Sequence, residues 1–160
     1  MSVITEGTKL PSGTLHESNP GNQLSTSTLF SAGRHIIFGV PGAFTPGCHK
    51  THLPGYIQDY SKYTSKGIDS ISCVSVNDAF VMAAWGESVG ADGKVRMLAD
   101  PTGEWLRQMG LVFDATPLLG NERAKRFSLV VEDGVVKRVN VEEDNTGLTC
   151  SLSNVLFDQL

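Results

Sequence analysis

Two apolar runs rich in β-branched residues mark the first half of the chain, one at residues 35–40 (HIIFGV) and one at residues 69–77 (DSISCVSVN). Such short runs are typical of strands that are covered on both faces. Between them, residues 48–66 place apolar side chains at three- and four-residue spacing, which predicts a helix. Pro54 and Gly55 are expected to kink or interrupt it, because proline lacks the N–H that a helical turn needs. The predicted order is strand, helix, strand.

The next element is a helix over residues 79–89, for which Asp78 is the predicted N-cap. A short strand at residues 94–98 and a helix at residues 103–109 follow. The apolar face of the helix over residues 79–89 is predicted to consist of Phe80, Val81, Ala84 and Trp85.

The last third of the chain carries a hairpin signal, since Asp133 and Gly134 separate alternating apolar runs at residues 127–132 and 135–141. A final helix is predicted at residues 152–160. Strand and helix alternation followed by a hairpin indicates an α/β protein with a mixed central sheet and helices on both faces. A thioredoxin-like fold has this order. A doubly wound, flavodoxin-like fold is the alternative, which the hairpin disfavours because that sheet is all parallel.

Length and charge restrict the class of protein. The 160 residues suffice for one domain with a single core, so residues 1–160 are expected to form one domain. The net charge of -4 argues against nucleic acid or an anionic membrane as a partner, because both require a surplus of Lys and Arg. No apolar run is long enough to span a bilayer.

Three cysteines, Cys48, Cys73 and Cys150, are an odd number at wide spacing. This fits neither a disulfide-rich secreted scaffold nor a paired zinc-binding motif, and it indicates a reducing compartment. Residues 1–13 lack the features of a signal or transit peptide, and the terminal DQL only loosely resembles the peroxisomal SKL. We expect an intracellular protein, with cytoplasm, mitochondrion and peroxisome as alternatives.

The segment before Cys48 is rich in turn-forming residues. If Thr45 is the N-cap of the following helix, Pro46 lies at N1, Gly47 at N2 and Cys48 at N3. The sulfur then lies near unpaired backbone N–H groups at the positive end of the helix dipole, which favours a thiolate. A helix end contributes only about 1–2 kcal/mol, so a nearby cation is also expected. An inert core cysteine, the common alternative, would not need this turn.

The motif PGAFTPGC, within the longer FGVPGAFTPGC…THLPG, resembles the Pro-x3-Thr-x2-Cys pattern of peroxiredoxins. The segments VSVNDAFV, LADPTG, KRFSLVV and TGLTCSL follow in the family's order, so the resemblance covers nearly the whole chain. It is closest to the atypical two-cysteine, peroxiredoxin-5 subfamily. The resemblance implies a thioredoxin fold and a peroxidase that reduces hydrogen peroxide, alkyl hydroperoxides and peroxynitrite. It also implies that no metal, flavin or haem cofactor takes part.

By the same resemblance, Cys48 is the peroxidatic cysteine, whose thiolate attacks the O–O bond and becomes a sulfenic acid. Thr45 and Arg126 correspond to the family's hydrogen-bond donors to the peroxide, and Arg126 supplies the expected cation. Pro41 ends the strand and corresponds to the proline that shields the sulfur from water. The substrate-binding residues implied are Thr45, Cys48 and Arg126, together with Phe44 and Gly47 as pocket elements.

Cys150 resembles the subfamily's resolving cysteine, which condenses with the sulfenic acid on Cys48 to form an intramolecular disulfide. Thioredoxin is the reductant that the resemblance implies, by thiol–disulfide exchange. Because a disulfide requires Cα atoms within about 7 Å, a loop rearrangement is expected to accompany the step. The subfamily also implies a non-covalent homodimer.

Three other side chains have less specific signals. Cys73 is expected to be a packed, inert thiol. His49 and His52 are expected to be surface histidines, although the spacing of Cys48 and His52 on one helix face can bind a metal. A redox-sensing or metal-carrying module built on these residues is therefore an alternative class. A cysteine hydrolase is a third possible class of function, although no protease signature surrounds Cys48.

Overall fold

A computed structural model describes residues 2–160 of the chain. Within these residues, seven strands form the central sheet and two more pair separately. The strands are β1 (Thr14–Glu17), β2 (Asn19–Ser25), β3 (Arg34–Gly39), β4 (Ser70–Ser75), β5 (Arg96–Ala99), β6 (Val112–Asp114), β7 (Glu122–Ala124), β8 (Phe127–Glu132) and β9 (Val135–Val141).

The helices are short except for the one that follows β4. They are α1 (Thr26–Phe30), α2 (Leu53–Gln58), α3 (Tyr60–Ser65), α4 (Ala79–Val89), α5 (Glu104–Gln108), α6 (Thr116–Leu119) and α7 (Ser153–Phe157), and a π-helical segment, Cys48–His52, precedes α2. None of the helices in the described part of the chain combines the length and apolarity needed to cross a bilayer.

The central sheet is mixed, in the order β2-β1-β5-β4-β3-β8-β9. Strands β3, β4 and β5 are parallel, whereas β8 is antiparallel to β3 and pairs with β9 as a hairpin. Asp133 and Gly134 both have positive φ at the turn, as a two-residue hairpin requires. The predicted hairpin and the predicted mixed sheet are confirmed, and the all-parallel alternative is wrong.

Each face of the sheet is covered by helices. Alternate residues of β3 illustrate this, since Ile36 and Phe38 pack in one apolar cluster and Ile37 packs in the other. The first cluster contains side chains from α2, α3, α4 and α7, together with Cys48, and the second contains side chains from α1 and α5. The helices on both faces agree with the predicted thioredoxin-like architecture.

The structure corrects several details of the prediction. Phe80 of α4 is 61% exposed, because the buried face of this helix consists instead of Ala79, Met82, Trp85 and Gly86. The final helix is shorter than predicted, and the strand predicted at residues 94–98 lies at Arg96–Ala99. The pattern did not predict the hairpin of β1 and β2, whose second strand, NPGNQLS, is polar and mostly exposed.

Candidate active site

The chain turns sharply between β3 and the helix that carries Cys48. Val40 extends the strand pairing by donating to the Val74 carbonyl at 3.1 Å, and the buried Pro41 ends it. The helix begins at Pro46, and the Thr45 carbonyl accepts from the His49 N–H at 2.8 Å. Thr45 is therefore at the predicted boundary. Its hydroxyl, however, donates to the Gly42 carbonyl at 2.7 Å and does not cap the helix.

The first turns of this helix are widened into a π-helix, Cys48–His52. The Leu53 N–H bonds to the carbonyl of Cys48, five residues earlier, in place of the usual four. The next residue, Pro54, has no N–H to donate, so the turn before it lacks one α-helical bond. The helix interruption predicted at Pro54 is therefore a π-helical turn that begins at Cys48.

Cys48 lies beside the guanidinium of Arg126. Arg126 Nη2 donates to Cys48 Sγ at 3.2 Å, and both residues are buried. The sheet register explains the encounter, because Phe127 of β8 pairs with Gly39 at the end of β3. The residue before Phe127 therefore lies next to the loop that leads to Cys48. The sulfur thus has a buried, positively charged hydrogen-bond donor within contact distance.

The other nitrogens of Arg126 are also bound. Nε donates to the Thr146 carbonyl at 3.1 Å, and Nη1 lies 3.1 Å from Nδ1 of His52. His52 Nε2 lies 3.1 Å from the Ser151 carbonyl. Arg126 can only donate, so Nδ1 is the acceptor and Nε2 carries the proton. Burial, reinforced by the charge of Arg126, lowers the pKa of His52 to about 3, which keeps the ring neutral.

The expectation that His52 lies at the surface is wrong, because the side chain is completely buried. Both of its ring nitrogens are occupied, so His52 is neither a free metal ligand nor the base of a cysteine–histidine pair. His49 is partly buried, and its Nδ1 accepts from Trp85 Nε1 at 3.0 Å. Residues 2–160 contain no group of three or more His, Cys, Asp or Glu that could hold a metal ion.

Phe44 and Gly47 flank the cysteine in different ways. Phe44 is half exposed, stacks on His49 and has a φ of 63°, a strained conformation for a bulky residue. Gly47 leaves little room for a side chain, since an added Cβ would lie 3.1 Å from Arg126 Nη2, which would have to shift by a few tenths of an ångström. Arg123, which the sequence did not single out, donates from Nη1 to the Pro41 carbonyl at 3.1 Å.

Cys150 is partly buried in the turn before α7, and its thiol is free. Burial raises the pKa of this thiol, and the charge of Glu142 raises it further. Glu142 is itself buried and accepts hydrogen bonds from the backbone N–H and hydroxyl groups of Thr149 and Ser151. Burial raises the pKa of Glu142, but these bonds outweigh it and bring the value to about 2. The carboxylate is therefore ionised and anchors both neighbours of Cys150.

Cys73 lies in the middle of β4, paired with Phe38 of β3, and is fully buried. Burial raises the pKa of this thiol, and its proximity to Cys48 raises it further. The position therefore favours a protonated thiol, in keeping with the inert role predicted for Cys73.

The Redoxin family model matches residues 5–156. The rice protein Peroxiredoxin-2E-2, chloroplastic (Oryza sativa subsp. japonica) is 43% identical over 98% of this chain and 72% of its own length. Peroxiredoxin-2B of Arabidopsis thaliana is 39% identical over 98% of both chains.

Two of the solved structures to which this chain is similar are also peroxiredoxins. Reduced Prx3 from Vibrio vulnificus, in complex with hydrogen peroxide, has a TM-score of 0.93 at 37% identity and covers 99% of this chain and 100% of that chain. Peroxiredoxin 5 from Alvinella pompejana has a TM-score of 0.84 at 38% identity over 98% of both chains. The family match, the relatives and the shared fold show that this chain belongs to the peroxiredoxins, in the branch of the peroxiredoxin-5 and 2E types, and is a thiol-dependent peroxidase.

Proposed function

We propose that Cys48 is the peroxidatic cysteine of this peroxidase and that it reduces hydrogen peroxide, alkyl hydroperoxides and peroxynitrite. The observation that carries the proposal is the donation from Arg126 Nη2 to Cys48 Sγ at 3.2 Å in a buried site. A related peroxiredoxin from Vibrio vulnificus has been crystallised with hydrogen peroxide, which supports a peroxide substrate.

In the first step the Cys48 thiolate attacks one peroxide oxygen. The S–O bond forms as the O–O bond breaks, so the sulfur is oxidised to a sulfenic acid. The leaving oxygen takes up a proton and is released as water from hydrogen peroxide or as an alcohol from an alkyl hydroperoxide, whereas peroxynitrite releases nitrite. Arg126 stabilises the negative charge that moves from sulfur to the leaving oxygen. The Thr45 hydroxyl is the second donor, and it turns from the Gly42 carbonyl toward the peroxide when substrate binds.

Three further residues shape the place where the peroxide binds. Pro41, which is buried, keeps water from the sulfur. Gly47 leaves space beside the Arg126 guanidinium, where a side chain would crowd Nη2. Phe44, half exposed next to His49, forms the outer wall of the pocket.

Cys150 is the resolving cysteine in the second step. Its sulfur attacks the Cys48 sulfenic acid, an S–S bond forms, and the hydroxyl leaves as water. Both thiols are free in the present structure. A disulfide requires Cα atoms within about 7 Å, so a rearrangement of the segment around Cys150 is part of the proposal. A thioredoxin-like reductant then restores both thiols by exchange. This cycle requires a reducing compartment.

A homodimer is part of the proposal. Among the described residues, the large apolar side chains that are well exposed are Phe44, Phe80 and Leu118, and their burial in a dimer removes apolar surface from water. Sedimentation velocity of the parent and of Phe80→Glu tests this. A shift of the variant toward monomer supports a dimer contact at α4, whereas a monomeric parent overturns the dimer.

The catalytic cycle is tested by peroxide consumption driven by thioredoxin and thioredoxin reductase. We expect no activity in Cys48→Ser and loss of thioredoxin-coupled turnover in Cys150→Ser. Cys73→Ser is the matched control and keeps the parent rate. Full activity of Cys48→Ser would show that the peroxidatic assignment is wrong, and full turnover of Cys150→Ser would show that another thiol resolves the intermediate.

A further inference from the structure

The segment that carries Cys150 also accepts hydrogen bonds from Arg126, which contacts Cys48, and from His52, which contacts Arg126. Three of its backbone carbonyls, those of Asn145, Thr146 and Ser151, form what we call the carbonyl cradle. Asn145 accepts from the Arg126 backbone N–H at 2.8 Å, and Thr146 accepts from Arg126 Nε at 3.1 Å. Ser151 accepts from His52 Nε2 at 3.1 Å. The cradle thus fixes Arg126 directly and through His52.

Glu142 holds both ends of this cradle. Its carboxylate accepts from the Ser151 N–H at 2.9 Å and the Ser151 hydroxyl at 2.6 Å. Its backbone carbonyl accepts from the Asn145 N–H at 3.0 Å, and its own N–H donates to the Arg126 carbonyl at 3.0 Å. Thr149 adds two more donors, its N–H and its hydroxyl. One buried residue therefore contacts the main chain of Arg126 and organises the turn that supports its side chain.

A carboxylate in this place is unusual, because burying a charge is costly unless hydrogen bonds replace the lost water. Here the donors are supplied by the cradle segment itself, so the charge and the turn stabilise each other. Charge-assisted hydrogen bonds are shorter and stronger than neutral ones, so they fix the position of the turn more tightly.

We propose that Glu142 is a positioning residue of the peroxidatic step, which fixes the carbonyl cradle and thereby aims Arg126 Nη2 at Cys48 Sγ. This rests on the proposed role of Cys48 and Arg126, but it does not depend on which thiol resolves the sulfenic acid. Glu142 touches neither the sulfur nor the peroxide in this mechanism. Its effect reaches the reaction through the guanidinium.

The test isolates the first step by using Cys150→Ser as the background. The rate constant of the reduced enzyme with hydrogen peroxide is measured by rapid mixing, in a single turnover, for Glu142→Gln and for the matched control Glu143→Gln. Glu143 is exposed, so its substitution removes the same charge one residue away. A small misplacement of the donor is expected to lower the rate about 10- to 100-fold in Glu142→Gln, while Glu143→Gln keeps the background rate.

A double-mutant cycle with Arg126→Gln separates positioning from a general loss of stability. If Glu142 acts through Arg126, Glu142→Gln has little further effect once the guanidinium is gone. If the two effects multiply, or if Glu142→Gln and Glu143→Gln react equally fast, the inference is wrong. An enzyme in which the Cys150→Ser background itself does not react with peroxide would instead overturn the proposed role of Cys48.

A second variant covers the case in which Glu142→Gln does not fold. Ser151→Ala removes one donor to the carboxylate and keeps the backbone carbonyl that His52 contacts. It is expected to slow the peroxide reaction in the same direction by a smaller factor, again only while Arg126 is present. An unchanged rate in a folded Ser151→Ala would contradict the inference.

Discussion

Cys48 and Cys73 lie in the same apolar cluster, and neither side chain is exposed to solvent. Their polar surroundings differ, because Arg126 Nη2 donates to Cys48 Sγ at 3.2 Å, whereas Cys73 lies in the middle of a strand opposite Phe38. Burial raises the pKa of the Cys73 thiol. Burial alone favours a neutral, inert thiol, and we expect the cation beside Cys48 to make that sulfur the nucleophile.

The two backbones differ as well. Cys73 is part of a parallel ladder, where each peptide group is paired with a neighbouring strand. Cys48 lies in the first turn of a helix, where the N–H groups of the chain have no helical partner. The helix end and the guanidinium therefore both lie beside Cys48. At Cys73 the charge of Arg126 lowers the pKa of the thiol, but burial and the proximity of Cys48, which raise it, have the larger effect.

The largest expected contrast comes from removing each sulfur. Cys48→Ser should lower the peroxidase rate by more than about 10³-fold, because a serine hydroxyl cannot form the sulfenic acid. Cys73→Ser should retain the parent rate. Peroxide consumption by the two purified variants checks this, and equal losses in both would erase the distinction between the thiols.

Removing the Arg126 guanidinium should make Cys48 nearly as unreactive toward peroxide as Cys73. Arg126→Gln is expected to slow the reaction with hydrogen peroxide by about 10²- to 10³-fold, the usual cost of losing one transition-state donor. Lys125→Gln removes an adjacent positive charge without removing the donor to sulfur, and it should react at nearly the parent rate. The bimolecular rate constant measures both, and similar losses would mean that net charge matters more than the contact.

His52 should make the region around Cys48 sensitive to acid. The unfolded chain binds a proton at this ring near the ordinary pKa of 6.5, whereas the folded protein does so only near pH 3. Between these values the unfolded chain binds more protons, so stability that is present above pH 6.5 is lost as the pH falls. From pH 6.5 to 4.5 the loss attributable to His52 should be about 2 kcal/mol.

Urea unfolding across that pH range, for the parent and for His52→Gln, measures this contribution. The variant does not titrate at this position, so its stability should depend less on pH. The window ends at pH 4.5 because Glu142, whose pKa is lowered from 4.5 to about 2, loses its own stabilising effect below it. Parallel curves for the two proteins would show that His52 is not buried as a neutral ring.

The smallest effect is expected from filling the space beside Arg126. In Gly47→Ala the new Cβ would lie 3.1 Å from Nη2, which should displace the guanidinium and slow the peroxide reaction about 3- to 10-fold. Gly55→Ala is the control, because its Cβ would lie at an ordinary 3.6 Å from Cβ of Ser153. Both changes favour helix by about 1 kcal/mol, so a difference in rate reports the crowding of Arg126.

Local patterns in the sequence predicted the parts of the fold that depend on neighbouring residues. The hairpin at Asp133 and Gly134 is specified by the two residues of the turn. The start of the helix is specified by Pro46, whose fixed φ suits the first helical position, although the Thr45 hydroxyl does not cap it. The predicted apolar face of α4 was wrong at Phe80. Because this helix has apolar residues on several sides, its sequence does not show which side packs on the sheet.

The residues that hold Arg126 in place could not be predicted from sequence spacing, because their hydrogen-bond partners are remote in sequence. His52 bonds to Arg126, 74 residues away, and to Ser151, 99 residues away. An imidazole in the i+4 position after a cysteine has the same local pattern whether it lies at the surface or in the core. Glu142 also had no local signal, because an acidic residue in a polar turn is ordinarily solvated.

We expect the buried guanidinium to select Cys48, and not Cys73, as the sulfur that peroxide oxidises. The most direct measurement is to treat the reduced Cys150→Ser protein with one equivalent of hydrogen peroxide in the presence of dimedone and to locate the adduct by mass spectrometry. Dimedone traps sulfenic acid, so the predicted result is an adduct on Cys48 with Cys73 unmodified. An adduct on Cys73, or none on Cys48, would show that the guanidinium does not select the sulfur that reacts.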